Sequence, residues 1–245
     1  MQRKKGTAYS LLAAEAACTE LFRGVAPADL ENLLGQIGAF RKTVRKGAFV
    51  VHEGTPVKSI YVIVSGRVLV SEHAGGDRRH VVRDLSAGRE FGLTMLYTPF
   101  HKSEAVAWPS SDGLPFWPGS VQAVENTVLI GFDLIRARRV SAHSDQRFHP
   151  VYVNAVRLLS EGLLDVWRKL AVLDGASVEE MVLRHLLYLD AEGGCTGRVT
   201  LPFSQMEWAR YLAVGRSSLC RALRELKRSG SIDWRGRSFR LLNKR

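Results

Sequence analysis

Residues 204–232 read SQMEWARYLAVGRSSLCRALRELKRSGSI, and the fold turns on this stretch. Ser204-x-x-Glu207 is a capping box, in which a hydroxyl and a carboxylate each satisfy a backbone N–H at a helix start. The first helix turns Ala209 and Leu212 inward. Ala213-Val214-Gly215 then makes a tight turn, with Val214 as the plug between two helices and Gly215 as the cap of the second. In the second helix Leu219, Ala222, Leu223 and Leu226 fall at i, i+3, i+4 and i+7, so one apolar stripe must be buried. The opposite face then shows Arg216, Ser217, Cys220, Arg221, Arg224 and Arg228. Beyond it, Ser231 to Trp234, an Arg235-Gly236 tip and Arg237 to Leu242 read as a hairpin. The order predicts a winged helix-turn-helix.

Charge gathers on the same segment. The 245-residue chain carries 35 Lys and Arg against 24 Asp and Glu, a formal charge of +11. Residues 195–245 hold twelve of the basic residues and three acids (Glu207, Glu225, Asp233), a surplus of nine. A solvated surface intersperses both signs, so this concentration points to a polyanion. The basic helix leaves no wide apolar face for a lipid surface, which favours nucleic acid over membrane. A helix fits the major groove, where Arg can donate two hydrogen bonds to guanine. Ser204, with the N–H groups beside it, can hold a phosphate. Cys220, set among Arg216, Arg221 and Arg224, sits where a thiolate would be favoured; a small side chain allowing close approach to DNA is the plainer reading.

The composition, 46% hydrophobic and 24% charged, is that of a soluble globular protein. No run approaches the roughly 18 apolar residues of a membrane span. In the N-terminal stretch Glu15 interrupts the apolar residues, which fits an amphipathic helix better than a secretory signal. Three scattered cysteines (Cys18, Cys195, Cys220) fit a reducing cytoplasm rather than a disulfide framework or zinc site.

Upstream of the basic segment, residues 21–34 read as short helices. From Phe40 to Phe132, short Val/Ile-rich runs (49–51, 59–64, 67–71, 81–85, 120–124, 128–132) alternate with glycine-containing turns, the signature of an antiparallel sandwich or small barrel. Gly75-Gly76-Asp77 reads as a hairpin tip. The connection from Tyr97 to Gly119 holds Pro99, Trp108, Pro109, Pro115, Phe116, Trp117 and Pro118, and its aromatics should fold onto the barrel. Next, Tyr152, Val156, Leu159, Leu163, Val166, Leu170 and Leu173 follow at spacings of four and three, an a/d repeat that predicts a long helix and a homodimer seam. Pro150 suits the helix start and Gly175 its end. A second capping box, Ser177-x-x-Glu180, opens another helix that Gly193-Gly194 stops. The fold class expected is α+β: an N-terminal antiparallel jelly-roll barrel with helices (1–145), a dimerisation helix (146–174) and a winged helix-turn-helix (175–245).

From Leu21 to the end the chain resembles the Crp/Fnr superfamily of bacterial transcription regulators. The likeness is carried by Glu207 to Ile232, by Val62-Ile63-Val64-Ser65-Gly66 and by Gly88-Arg89-Glu90-Phe91-Gly92. It implies a homodimeric, sequence-specific DNA-binding regulator that is not an enzyme, acting on an inverted-repeat operator and touching RNA polymerase if it activates. It also implies that Arg216, Ser217 and Arg221 read bases, within a DNA-contacting set of Ser204, Arg216, Ser217, Ser218, Arg221 and Arg224. Ser217 stands where many members carry a Glu. Phe91, Gly92, Leu93, Gly119 and Ser120 become the expected effector pocket.

Members that bind cyclic nucleotide follow the barrel glycine with Glu and later place an Arg-Ser or Arg-Thr pair on the phosphate. Here Leu93 follows Gly92, and the later stretch reads Trp117-Pro118-Gly119-Ser120, which argues against cyclic AMP because a buried phosphate needs a cation. Only Cys18 lies where an Fnr-type iron–sulfur cluster would need several cysteines. His52, His73, His80, His101, His143 and His149 leave haem open without favouring it, and the effector is unidentified. Two rival readings are a cyclic-nucleotide-binding regulatory module and a cupin-type metal enzyme on the same barrel. The first lacks the phosphate cation and carries a winged helix; the second lacks an HxH pair.

Overall fold

The computed structural model describes residues 3–73, 79–97, 114–143 and 145–242. Contacts divide the chain into two compact units, Met1–Glu72 with Arg83–Leu163, and His73–Val82 with Leu164–Arg245.

In the first unit, α1 (Arg3–Ala17) buries Leu12, Ala13 and Ala16, as an amphipathic helix must. α2 (Pro27–Gln36) opens on its proline and buries Leu30, Leu33 and Leu34. Eight strands follow among the described residues: β1 (Phe40–Val44), β2 (Phe49–Val51), β3 (Ser59–Ser65), β4 (Arg67–His73), β5 (Arg79–Ser86), β6 (Glu90–Phe91), β7 (Ser120–Ala123) and β8 (Thr127–Asp133). Short α3 (Thr94–Tyr97) follows β6, and α4 (Leu134–Ser141) continues from β8. Two four-stranded sheets form, ordered β1-β8-β3-β6 and β2-β7-β4-β5, which is jelly-roll connectivity. Their inner faces meet in one core, with Ile60, Val62, Leu129 and Ile130 from the first sheet and Val68, Val121 and Ala123 from the second.

The six strands expected from the sequence are present; β1, β6 and α4 were not anticipated. β1 (FRKTV) lies at a sheet edge, pairs with β8 from Phe40↔Gly131 to Val44↔Thr127, and buries only Val44. A charged edge strand lacks the apolar alternation that betrays a strand. α4 is capped by Asp133, whose carboxylate accepts from the Arg136 N–H at 2.8 Å. The 75–77 tip, Pro99, Trp108 and Pro109 lie outside the described residues. Trp117 is buried as expected.

α5 (His149–Leu173) begins in the first unit and ends in the second. Its own chain covers one side: Ala155 and Leu158 are buried, with Tyr152 and Leu159 packed against the same core. Its other side carries Val153, Val156, Leu163, Trp167 and Leu170, each between 52 and 69% exposed. Of the seven residues expected as a seam, Val156, Leu163, Val166 and Leu170 point outward, whereas Tyr152, Leu159 and Leu173 are half-buried. Trp167, absent from the expected repeat, joins the outward stripe.

The second unit contains α6 (Val178–Glu192), β9 (Arg198–Thr200), α7 (Gln205–Tyr211), α8 (Arg216–Arg228), β10 (Ile232–Arg235) and β11 (Ser238–Leu241). β10, β11 and β9 form an antiparallel sheet in that order.

Gly66, between β3 and β4, shows how tightly the barrel is drawn. Its φ is +89°, and a Cβ there would lie 2.5 Å from the Asn126 carbonyl oxygen and 2.7 Å from the Thr127 Cα. Gly66→Ala is therefore expected to cost about 2–4 kcal/mol, through positive-φ strain and a backbone clash. Denaturant unfolding followed through the barrel's Trp117 should show it.

Candidate nucleic-acid interface

The interface rests on an aromatic block. The Ser204 hydroxyl accepts from the Glu207 N–H at 3.2 Å, and the Glu207 carboxylate accepts from the Ser204 N–H at 2.6 Å, so the capping box is complete. One turn on, Trp208 is fully buried, and its Nε1–H donates to Nδ1 of His185 on α6 at 2.7 Å. The imidazole stacks on Tyr211 at 4.7 Å, while Phe239 of β11 meets Trp208 edge-on at 5.4 Å. His185 is thus an acceptor at Nδ1. Burial above all, then the positive charge of Lys169, pushes its pKa down to about 4. Val182, His185 and Leu186 share the inward face of α6, and a lone histidine among apolar residues carries no signal of its own in the sequence.

In the turn, Ala213 adopts φ +56° and the Val214 N–H donates to the Ala209 carbonyl at 3.0 Å. α8 buries Leu219, Ala222, Leu223 and Leu226, the four positions its period requires. Arg216, Ser217, Arg221 and Arg224 consequently face solvent, with Ser218 and Cys220 partly covered. The acids of this region serve the far end of the helix. Glu225 pairs with Arg228 at 2.7 Å, and Asp233 pairs with Lys227 at 2.6 Å, whose ammonium also sits 5.2 Å from the Trp234 ring. Arg224 donates to the Cys220 carbonyl at 3.2 Å. Among the described residues no acid or acceptor engages the guanidinium of Arg216 or Arg221. Beside them stands the β10–β11 hairpin, with Arg235, Arg237 and Arg240 exposed and Gly236 at its tip. Ser204 is exposed, its hydroxyl proton still free to donate.

In the barrel, the five residues expected to line an effector pocket sit on β6, just after it, and at the start of β7. Phe91, Leu93 and Ser120 are buried. The Trp117 ring comes within 2.6 Å of where a Gly92 Cβ would stand; Tyr61 stacks on Phe91 with centroids 5.1 Å apart, and Trp117 meets Phe91 at a tilt, 6.0 Å away. The Ser120 hydroxyl accepts from the Glu53 N–H at 3.0 Å, and Gly119 backs onto the Ser71 carbonyl. Next to them Glu90, given no role of its own by the sequence, is buried and accepts from the Leu93 N–H at 3.1 Å. Burial raises its pKa against the opposing pull of Arg83, 3.8 Å away.

Comparison with known proteins follows this division. The Crp-like helix-turn-helix domain family matches residues 180–245, and the cyclic nucleotide-binding domain family matches residues 41–111. The chain therefore carries a Crp-like helix-turn-helix domain and, ahead of it, a cyclic nucleotide-binding domain. Its fold is that of the c-di-GMP responsive global regulator CLP of Xanthomonas campestris (22% identity, 89% of this chain and 100% of that one, TM-score 0.68). It is also that of FixK2 from Bradyrhizobium japonicum (20%, 84% and 93%, 0.61) and of a CRP-family transcriptional regulator from Thermus thermophilus (21%, 82% and 92%, 0.56). No curated protein matches it by sequence. Among the described residues no helix is long and apolar enough to cross a membrane.

Because His185 is held neutral, the unfolded chain binds its proton more readily than the folded one between pH 6.5 and 4. The stabilisation is complete above about pH 6.5 and is lost as the pH falls to about 4. The stability lost over that range, the cost of protonating a buried imidazole, is on the order of 3 kcal/mol. An NMR titration should place the His185 midpoint near 4, and a midpoint at 6 or above would contradict the buried acceptor role.

Proposed function

We propose that the protein binds double-stranded DNA as a homodimer, at an inverted repeat, under the control of a signal sensed in the barrel unit. Arg216, Ser217 and Arg221 read base edges in the major groove; Ser204, Ser218 and Arg224 contact the backbone, with the hairpin arginines alongside. The observation that carries the reading is the pair of unengaged guanidiniums on the exposed face of α8. An arginine that no acid neutralises, on a helix whose other face is locked in the core, is set to donate to guanine O6 and N7. RNA polymerase is a further partner if the protein activates, and the cytoplasm is the compartment this reading implies.

Dimerisation is supported by the outward stripe of α5. Five large apolar side chains with most of their surface in water are costly alone and are covered when two α5 helices pack about a two-fold axis. The stripe then sets two α8 helices into successive major grooves, about 34 Å apart. The signal acts by shifting the population toward the state with that spacing.

Cyclic AMP does not fit as the signal. No arginine precedes Ser120, whose hydroxyl is engaged by Glu53, and Trp117 occupies the space over Gly92. Isothermal titration with cyclic AMP is expected to show no micromolar binding.

Selection from random duplex DNA should return an inverted repeat, with affinity falling steeply as salt rises. Arg221→Ala is expected to cost about 1–3 kcal/mol and relax specificity at one base pair in each half-site. Leu163→Lys with Leu170→Lys should give a monomer by light scattering and weaken operator binding by about 100-fold or more, through lost bivalency. A wild-type monomer, or binding insensitive to salt, would refute the reading.

A further inference from the structure

The three-stranded sheet of the C-terminal unit has two unlike faces. Its inner face is apolar, with Val199, Ile232, Phe239 and Leu241 buried. Its outer face carries Arg198 and Thr200 of β9, Ser238 and Arg240 of β11, and Asp233 and Arg235 of β10, all exposed. The register sets them in two rows across the sheet, Asp233-Arg240-Arg198 and Arg235-Ser238-Thr200. Within these strands the outer face bears no apolar side chain.

The first row sets two like charges side by side. Arg240 and Arg198 are Cα partners, and like charges directly opposite in a sheet, with Cβ atoms about 4.5–5.5 Å apart, are destabilising. Slippage cannot relieve them. The Leu241 N–H donates to the Gly197 carbonyl and the Leu201 N–H to the Arg237 carbonyl, both at 2.9 Å. The Gly197 N–H is tied in turn to the buried Asp190 carboxylate at 2.6 Å. A shift by one residue would also turn Phe239 and Leu241 out to water. Nor does an acid neutralise the pair. Asp233, the one acid on the face, is held by Lys227 at 2.6 Å. That hydrogen bond above all keeps its carboxyl below the usual carboxylate range, with Arg240 a lesser cause. Among the described residues no carboxylate forms an ion pair with Arg198 or Arg240.

We propose that the Arg198–Arg240 pair is a phosphate clamp for duplex DNA outside the half-site that α8 reads, with Thr200 and Ser238 as hydroxyl donors beside it. A backbone phosphate set between the two guanidiniums turns their repulsion into two charge-assisted contacts. Both arginines are exposed, so a free phosphate ion is held only weakly there against water. A polyanion gains besides from each counterion it releases. An acidic protein surface fits less well, because the core of a protein interface needs apolar side chains that this face lacks. The inner face packs on α7 through Phe239 against Trp208. The outer face therefore looks away from the helix-turn-helix, and its phosphates are not those bracketing α8. Arg235, beside the hairpin tip, continues the proposed interface onto this face. The inference rests on the DNA-binding reading and adds to it the course of the duplex beyond the hairpin.

The test compares full-length protein on two duplexes, one ending at the selected inverted repeat and one carrying a further helical turn on each side. Wild type is expected to bind the longer duplex more tightly. Its log affinity should also fall more steeply against log salt, by about 2, for one added phosphate per protomer. Arg198→Gln should weaken binding to the longer duplex about 10-fold, and Arg198→Gln with Arg240→Gln should make the two duplexes bind alike. Arg198→Lys keeps the charge and should keep the steeper slope, which separates lost charge from a damaged fold. Arg45→Gln with Lys46→Gln removes the same charge from the barrel unit and should keep the wild-type response. Equal affinity and slope for both duplexes in wild type, a length advantage that survives the double substitution, or its equal loss in the barrel variant would each overturn the inference. Those results leave the DNA-binding reading standing; no wild-type binding to either duplex would overturn that reading and the clamp with it.

Discussion

The mechanism depends on the burial of four side chains, Leu219, Ala222, Leu223 and Leu226. At roughly 1–3 kcal/mol for each large apolar side chain, that burial fixes the rotation of α8 about its axis. Once that rotation is set, the helical period leaves Arg216, Ser217 and Arg221 no direction but outward. The rest of the C-terminal unit makes the burial possible. Trp208 and His185 bind α7 to α6 by a hydrogen bond inside an aromatic block, and β9, β10 and β11 close the remaining side. Specific recognition needs a rigid reading surface, and here rigidity comes from a neutral histidine kept out of water.

Much of this was legible in the sequence, because the strongest signals are periodic or punctuated. The α8 stripe, the Ser204 capping box, the hairpin and six of the eight described barrel strands all rest on spacing rules that local geometry enforces. The unread elements have physical reasons. β1 is a charged edge strand stabilised by pairing with β8, and nothing in FRKTV announces a partner some ninety residues away. Glu90 and His185 are buried titratable groups, and only the folded chain supplies their partners: the Leu93 N–H and Arg83 for the carboxylate, the Trp208 indole for the imidazole. The surroundings of the expected effector residues were the least readable part. Its expected residues share a neighbourhood, but Trp117, which closes over Gly92, belongs to a connection whose path no periodicity dictates.

α5 shows a subtler limit. The repeat from Tyr152 to Leu173 has the 3.5-residue spacing of a helix packed along its length, and it names the residues sharing a stripe without naming what covers them. Two surfaces compete for this helix. The barrel unit takes Tyr152, Ala155, Leu158 and Leu159, and the outward stripe keeps Val156, Leu163, Val166 and Leu170 of the repeat and adds Val153 and Trp167. A helix that serves its own core and, in the proposed dimer, a partner as well carries more apolar positions than one stripe requires, and period alone cannot apportion them.

The three helix starts of the C-terminal unit bear on what α8 is for. α6 opens on Ser177 with Glu179 and Glu180 in its first turn, and α7 on Ser204 with Glu207; both follow the rule that hydroxyls and carboxylates answer the free N–H groups and the positive end of the dipole. α8 breaks it. Its cap is Gly215 with no side-chain hydrogen bond, its first turn holds no acid, and Arg216 adds a positive charge where the dipole already places one. Local stability is given up at this one terminus, in a unit that caps its other two. Such a departure is expected where function sets the residue. The phosphate backbone of DNA supplies the missing anion and answers both faults at once, so the poorest helix start in the unit is also the one best prepared for the proposed polyanionic partner.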